Sequence, residues 1–197
     1  MIRQHTAITE RFRYAATLAA TCLLMATAQA ADDLTQPIRV SPGGHFLAQP
    51  DGQPFFWLGD TAWALFQRST REEADRYLED RAAKGFTVIQ AVALGFVGID
   101  TPNRYGERTL LNNDPATPNP RYFDHVDWIV SRAAQYGLRI ALLPNWGVPY
   151  LRVDAEHPSI MTPANARMYG RWLGARYRDK GVIWVLGGDS TPLWRQD

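Results

Sequence analysis

The chain has 197 residues, 46% of them hydrophobic and 21% charged, with 21 Lys and Arg against 20 Asp and Glu. That balance gives no electrostatic basis for binding nucleic acid or an anionic membrane surface, both of which recruit clustered basic residues. It also excludes the collagen-like, disordered and disulfide-rich classes. Aromatic residues reach 12%, a bias common to carbohydrate-handling proteins and to plain barrels.

Residues 1–30 read as an export signal. Arg3, Arg11 and Arg13 precede an apolar run from Ala15 to Met25, and Ala28-Gln29-Ala30 supplies the small residues that signal peptidase requires. The expected mature chain starts at Ala31 and is periplasmic or extracellular. The apolar run is well short of the roughly 20 residues of a transmembrane helix, so no integral membrane segment is expected after cleavage. Cys22 follows Thr21, where a lipoprotein signal wants Gly, Ala or Ser, so no lipid is expected. Loss of this segment removes the single cysteine, and with it any disulfide or thiolate metal site.

Residues 31–54 read as an N-terminal extended segment. Ile38 to Val40 and His45 to Ala48 are short extended pieces, and Pro50-Asp51-Gly52 is a turn signal. A first buried strand is expected over Phe55 to Asp60. Thr70 with Glu73 three residues on predicts a capping box, and Ala74, Tyr77, Leu78, Arg81 and Ala82 share one helical face. Phe86 to Leu94 is a second apolar strand. Residues 96–121 form a long connection without a period of its own, the kind that is usually functional or mobile.

Phe123, Val126, Val130, Ala133 and Ala134 mark a second helix, and Leu138 to Pro144 a third strand. Thr162-Pro163 starts a third helix with Ala166, Tyr169, Leu173 and Tyr177 on its buried face, and Val182 to Leu186 is the fourth strand. Gly85, Gly137 and Gly181 each separate a helix from the next strand. Continuous apolar strands alternating with helices imply an α/β fold with a parallel sheet and right-handed crossovers. An open doubly wound sheet and an eight-stranded barrel both satisfy this pattern. The first lacks a Gly-rich phosphate loop after its first strand. The second fits the long loops but needs roughly 250 residues, so residues 55–197 would be a partial (β/α) barrel of TIM type, truncated after about four strand-helix units.

Polar and aromatic residues gather where these strands end: Asp60 to Trp63, Asn145-Trp146, and Gly187-Gly188-Asp189. Sugar rings present apolar faces to aromatics and hydroxyls to Asp and Asn, so Asp60, Trp63, Asn145, Trp146 and Gly188 are candidate substrate-binding residues. Any one strand-end Asp or Asn is more often a cap or a loop hydrogen-bonder. Glycosidic cleavage needs two carboxyl groups, one of them a proton donor. Asp189, at the end of an apolar strand where desolvation raises a carboxyl pKa, is the candidate catalytic acid. Gly187 and Gly188 let the backbone turn and a substrate come close.

The runs PFFWLGDTAWALF at 54–66, FTVIQAV at 86–92, LLPNWG at 142–147 and VIWVLGGD at 182–189 resemble the apiosidase-like glycoside hydrolases, glycoside hydrolase family 140. The resemblance covers residues 38–190 and implies an exported, retaining glycoside hydrolase acting on plant-type polysaccharide. It also implies a barrel with an acid/base carboxylate after strand four, a position matched by Asp189. The family's nucleophile is expected on a later strand, around strand seven, beyond residue 197.

Other chemistry finds little support. His45, His125 and His157 lack metal-ligand spacing, so no metal or other cofactor is expected. Glu72, Glu73, Asp75, Glu79, Asp80, Asp124 and Asp127 read as solvent-facing helix charges. Rival readings are a secreted carbohydrate-binding or scaffold protein without hydrolysis, and an unrelated exported α/β protein. Four strands of an eight-stranded barrel would leave two unmatched edges, so the 197-residue chain by itself is expected to be inactive and poorly soluble. N-terminal sequencing of exported protein should read Ala-Asp-Asp-Leu from Ala31; a start at Cys22 would show lipoprotein processing instead.

Overall fold

The computed structural model describes residues 34–147 and 159–188. The export segment and Asp189 lie outside these residues.

Two short strands, β1 (Arg39–Val40) and β2 (Leu47–Ala48), pair antiparallel. The Ser41 hydroxyl in their connection accepts from the amides of His45 and Phe46. The turn at 50–52 forms as its sequence suggests, with the Asp51 carboxylate accepting from the Gln53 amide.

Four parallel strands follow and lie side by side in chain order: β3 (Gly59–Thr61), β4 (Val88–Val92), β5 (Arg139–Leu143) and β6 (Ile183–Trp184). Helices fill the crossovers. The short α1 (Leu65–Arg68) and α2 (Arg71–Ala83) join β3 to β4, α3 (Pro120–Gln135) joins β4 to β5, and α4 (Pro163–Arg176) joins β5 to β6.

Local chemistry sets the helix ends. Thr70 and Glu73 form the reciprocal capping box at the start of α2. Thr162 and Asn165 do the same for α4, an Asn taking the place usually held by Glu or Gln. Asn119 caps α3 ahead of Pro120, whose missing amide costs nothing in the first turn. Gly85, Gly137 and Gly181 all take positive φ where the chain reverses toward the next strand.

The register explains the packing. Asp60 lies opposite Ile89, which lies opposite Ile140. Ile89, Ala91, Ile140 and Leu142 join Ala74, Leu78, Phe123, Val126, Ile129 and Leu173 in one core between sheet and helices. The alternate residues Val88, Val92, Ala141 and Leu143 are buried outside that cluster. A doubly wound sheet carries helices on both faces and reverses its strand order at a switch point. Among the described residues the order runs without reversal and one sheet face carries the helices.

Three expectations are corrected. Regular pairing begins at Gly59 and not at Phe55, and β6 shrinks from 182–186 to Ile183–Trp184. Among the described residues both are outer strands of the sheet, each hydrogen-bonded to one neighbour, and side chains beside them are open: Phe56 is 73% and Leu186 91% exposed. Three of the carboxylates read as solvent-facing also tie helices together. Asp75 on α2 accepts from Arg132 on α3 and from Tyr136 just after it, and the Arg132 bond holds its carboxyl below the usual range. Asp124 and Asp127 on α3 both accept from Arg176 on α4.

At the other end of the sheet Arg139, only 2% exposed, donates from one guanidinium nitrogen toward the carbonyls of Leu34, Gln36 and Gly181. A Cβ on Gly181 would overlap the Leu34 carbonyl, so the N-terminal segment and the turn into β6 close on each other here. Hydrogen bonds to a charged donor contribute about 1.5–3 kcal/mol each, and buried acceptors left empty cost more than exposed ones. Arg139→Met should therefore destabilise the fold by about 3 kcal/mol or more. Arg132→Met, which breaks a part-exposed ion pair, should cost about 1 kcal/mol or less. Urea titration of the two variants checks the ranking.

Candidate active site

Parallel strands bring their carboxyl ends to one edge of the sheet, and here the backbone ladder continues past the regular strands. The Val92 amide donates to the Trp63 carbonyl at 3.1 Å, Trp146 to Leu94 at 3.0 Å, and Gly188 to Trp146 at 3.2 Å. The ends of all four strands are thus bonded in a row. Gly95 and Gly147, both at positive φ, turn the chain away directly after this row.

Three aromatic rings pack along it. Trp63 and Trp146 have centroids 5.1 Å apart, Phe96 and Trp146 5.0 Å in an edge-to-face contact, and Trp63 and Phe96 6.3 Å. Such pairs contribute about 0.5–1.5 kcal/mol each beyond their burial. Beside Trp63 and Phe96 opens a cleft of about 300 Å³, also lined by Ala62, Leu65, Arg68, Ser69 and Tyr77.

The sequence candidates divide. Trp63 and Trp146 meet, and Asn145 lies half-buried next to Trp146 at the end of β5. Gly188 also joins this group, but the group that approaches it is the Trp146 ring. Asp60 departs from the expected placement. Its carboxylate accepts from the Tyr77 hydroxyl at 3.0 Å and pairs with Arg81 at 2.8 Å, both on α2. Burial pushes the Tyr77 hydroxyl well above its usual range, so it remains a donor. Asp60 shares the helix-facing side with Ile89, while Thr61, in register with Gln90, takes the opposite side. It ties β3 to α2 and leaves the strand-end pocket to other groups. Asp189 lies outside the described residues, directly after Gly188.

Phe96 was missed from sequence. Its signal was positional: it follows the glycine that ends an apolar strand, as aromatic residues also follow the ends of β3 and β5. Among the described residues no group of three or more His, Cys, Asp and Glu is placed to hold a metal ion, and no helix is long and apolar enough to cross a membrane.

A second cleft, about 240 Å³, is lined by Arg71, Tyr105, Glu107, Arg121, Asp124 and His125. His125 is 2% exposed, and its Nε2 donates to the Ser69 carbonyl at 3.1 Å as the neutral tautomer. Burial pushes its pKa down to about 4. Tyr105 packs on the His125 ring edge at 5.0 Å, and its hydroxyl accepts from the Arg71 amide. This cluster anchors the long 96–121 connection to α2 and α3.

Residues 41–196 match the model of a family described as apiosidase-like, catalytic domain. Among solved structures, a glycoside hydrolase is 34% identical with a TM-score of 0.67, covering 79% of this chain and 34% of its own. A family 5 glycoside hydrolase from Bacteroides vulgatus is 32% identical with a TM-score of 0.68, covering 79% of this chain and 33% of its own. An endo-1,4-β-mannanase from Rhizomucor miehei, 14% identical at a TM-score of 0.50, covers 82% of this chain and 52% of its own and shares the fold alone. The chain thus spans about a third of the length of the first two. No curated protein matches.

The buried histidine gives a pH signature. Between its ordinary pKa of 6.5 and the native value of about 4, the unfolded chain takes up a proton that the native chain refuses. Its contribution to stability is complete above pH 6.5 and is lost as pH falls toward 4, at no more than about 1.4 kcal/mol per pH unit. His125→Gln, which keeps a donor for Ser69 and cannot titrate, should flatten that stretch of the stability profile. An unchanged slope in denaturant titrations across it would show that other groups set it.

Proposed function

The chain belongs to the apiosidase-like catalytic-domain family, and from that premise we propose that it supplies the first four strand-helix units of a TIM-type barrel in an exported, retaining glycoside hydrolase acting on plant-type polysaccharide. The supporting observation is the bonded row of strand ends. It carries Trp63, Phe96 and Trp146 at one edge and ends at Gly188, so Asp189 is the first group beyond the row. Carboxyl ends of barrel strands are where such enzymes gather their catalytic groups.

In this reading Asp189 protonates the departing glycosidic oxygen, while a second carboxylate, borne on a strand beyond residue 197, attacks the anomeric carbon from the opposite face. The covalent glycosyl-enzyme that forms is then opened by water, from which Asp189, now ionised, removes a proton. Retention follows from the two successive inversions. In the same reading Asn145, at the end of β5, holds a substrate hydroxyl. Asp60, turned to α2, supports the strand and takes no part.

In the full-length polypeptide, Asp189→Ala should lower hydrolysis of substrates with poor leaving groups by about 10²–10⁴, the usual contribution of a general acid. For aryl glycosides whose leaving groups need no proton, kcat/KM, which reports formation of the glycosyl-enzyme alone, should be much less affected. Proton NMR of the first-formed product should show the anomeric configuration of the substrate. Inversion would overturn the retaining assignment, and sugar binding without turnover in the full-length polypeptide would favour a binding or scaffold protein.

A further inference from the structure

The two glycines before Asp189 meet different surroundings. A Cβ on Gly187 would have nothing within 4 Å. A Cβ on Gly188 would fall 2.5 Å from Cε3, 2.6 Å from Cδ2 and 2.7 Å from Cζ3 of Trp146. Three neighbouring ring atoms at nearly equal distance mean approach onto the indole face, since an edge-on approach to Cε3 would leave its two ring neighbours markedly farther away. Gly188 is not among the residues at positive φ, so it is the space that excludes a side chain there, not the backbone conformation.

The ring has little room to yield. Trp63 and Phe96 pack against it at 5.1 and 5.0 Å, and the Trp146 carbonyl accepts the Gly188 amide at 3.2 Å. The contact is therefore held from both sides, by aromatic packing on the indole and by a backbone bond on the glycine.

We propose that Trp146 is a positioning residue: its indole, wedged by Trp63 and Phe96, is the surface on which Gly188 is laid, and this fixes the backbone from which Asp189 follows in sequence. This rests on Asp189 being the acid. One face of Trp146 is then occupied by the protein's own backbone, and the aromatic trio serves to place the proton donor before it serves any sugar ring.

The test compares rates within single preparations of the full-length polypeptide: the ratio of kcat/KM on an aryl glycoside with a good leaving group to kcat/KM on a substrate with a poor one, since kcat/KM reports the step in which the acid acts. That ratio does not depend on the fraction folded. Asp189→Ala should raise it by about 10² or more. Gly188→Ala and Trp146→Leu should each raise it at least about tenfold, and the double variant should show no more than the larger single effect, since both changes break one contact. If Asp189→Ala raises the ratio while Gly188→Ala leaves it unchanged, the positioning role is overturned and the acid assignment stands. Multiplicative single effects in the double variant would likewise overturn it. If Asp189→Ala leaves the ratio unchanged, the acid assignment falls and the proposal with it.

Discussion

A β-strand offers each side chain only two directions, and in this sheet that alternation decides which strand-end groups are available for chemistry. Asp60, Ile89 and Ile140 lie in register and take the helix side, where the apolar members pack into the core and Asp60 meets Tyr77 and Arg81. Thr61, Gln90 and Ala141 form the next row on the opposite side. One residue of shift would exchange the two sets, so the packing of Ile89 and Ile140 against α2 and α3 also fixes the direction of the Asp60 carboxylate.

That arrangement is held at both ends. At the carboxyl ends, backbone bonds run from Trp63 across to Gly188. At the amino ends, Arg139 gathers the carbonyls of the N-terminal segment and of the turn before β6. Between the helices, Asp75 with Arg132 and Asp127 with Arg176 add contacts of small individual value, because part-exposed ion pairs are worth about 1 kcal/mol at most. The bulk of the cohesion comes from fully buried side chains such as Leu78, Phe123 and Ile129, at about 1.5–3 kcal/mol each. The ion pairs set which helix faces meet.

Periodicity and capping chemistry were enough to read the order of strands and helices, because both are local. Thr70 with Glu73 and the three glycines that follow helices report their own conformations directly. The partners of charged residues were less legible. Asp75 and Asp127 look the same in sequence as Glu79, which has no ion pair among the described residues, and only the approach of α3 and α4 gives them arginines. Asp60 illustrates the same limit within a strand. Its position at a strand end was readable, but its direction depends on which neighbour of the alternation faces the core, and the pattern Gly59-Asp60-Thr61 carries no apolar residue to say so. Trp63 and Trp146 were legible as a pair because each follows a strand end, and Phe96 obeys the same rule without having been recognised by it.

The aromatic content takes on a different meaning once each ring has a place. Trp172 of α4 packs on Phe123 of α3 at 4.7 Å, and Trp184 of β6 on Tyr177, just after α4, at 6.4 Å, so these rings lie where helices meet each other or the sheet, while Tyr122 packs on its neighbour Phe123 within α3 at 5.2 Å. The Tyr122 hydroxyl donates to the Ala93 carbonyl and that of Tyr169 to the Pro144 carbonyl, so these rings also satisfy backbone groups just past the ends of β4 and β5. A bias that suggested sugar stacking is thus largely used in joining helices to strand ends. The carbohydrate reading therefore rests on the small set Trp63, Phe96 and Trp146, and on their position beside the residue that leads into Asp189.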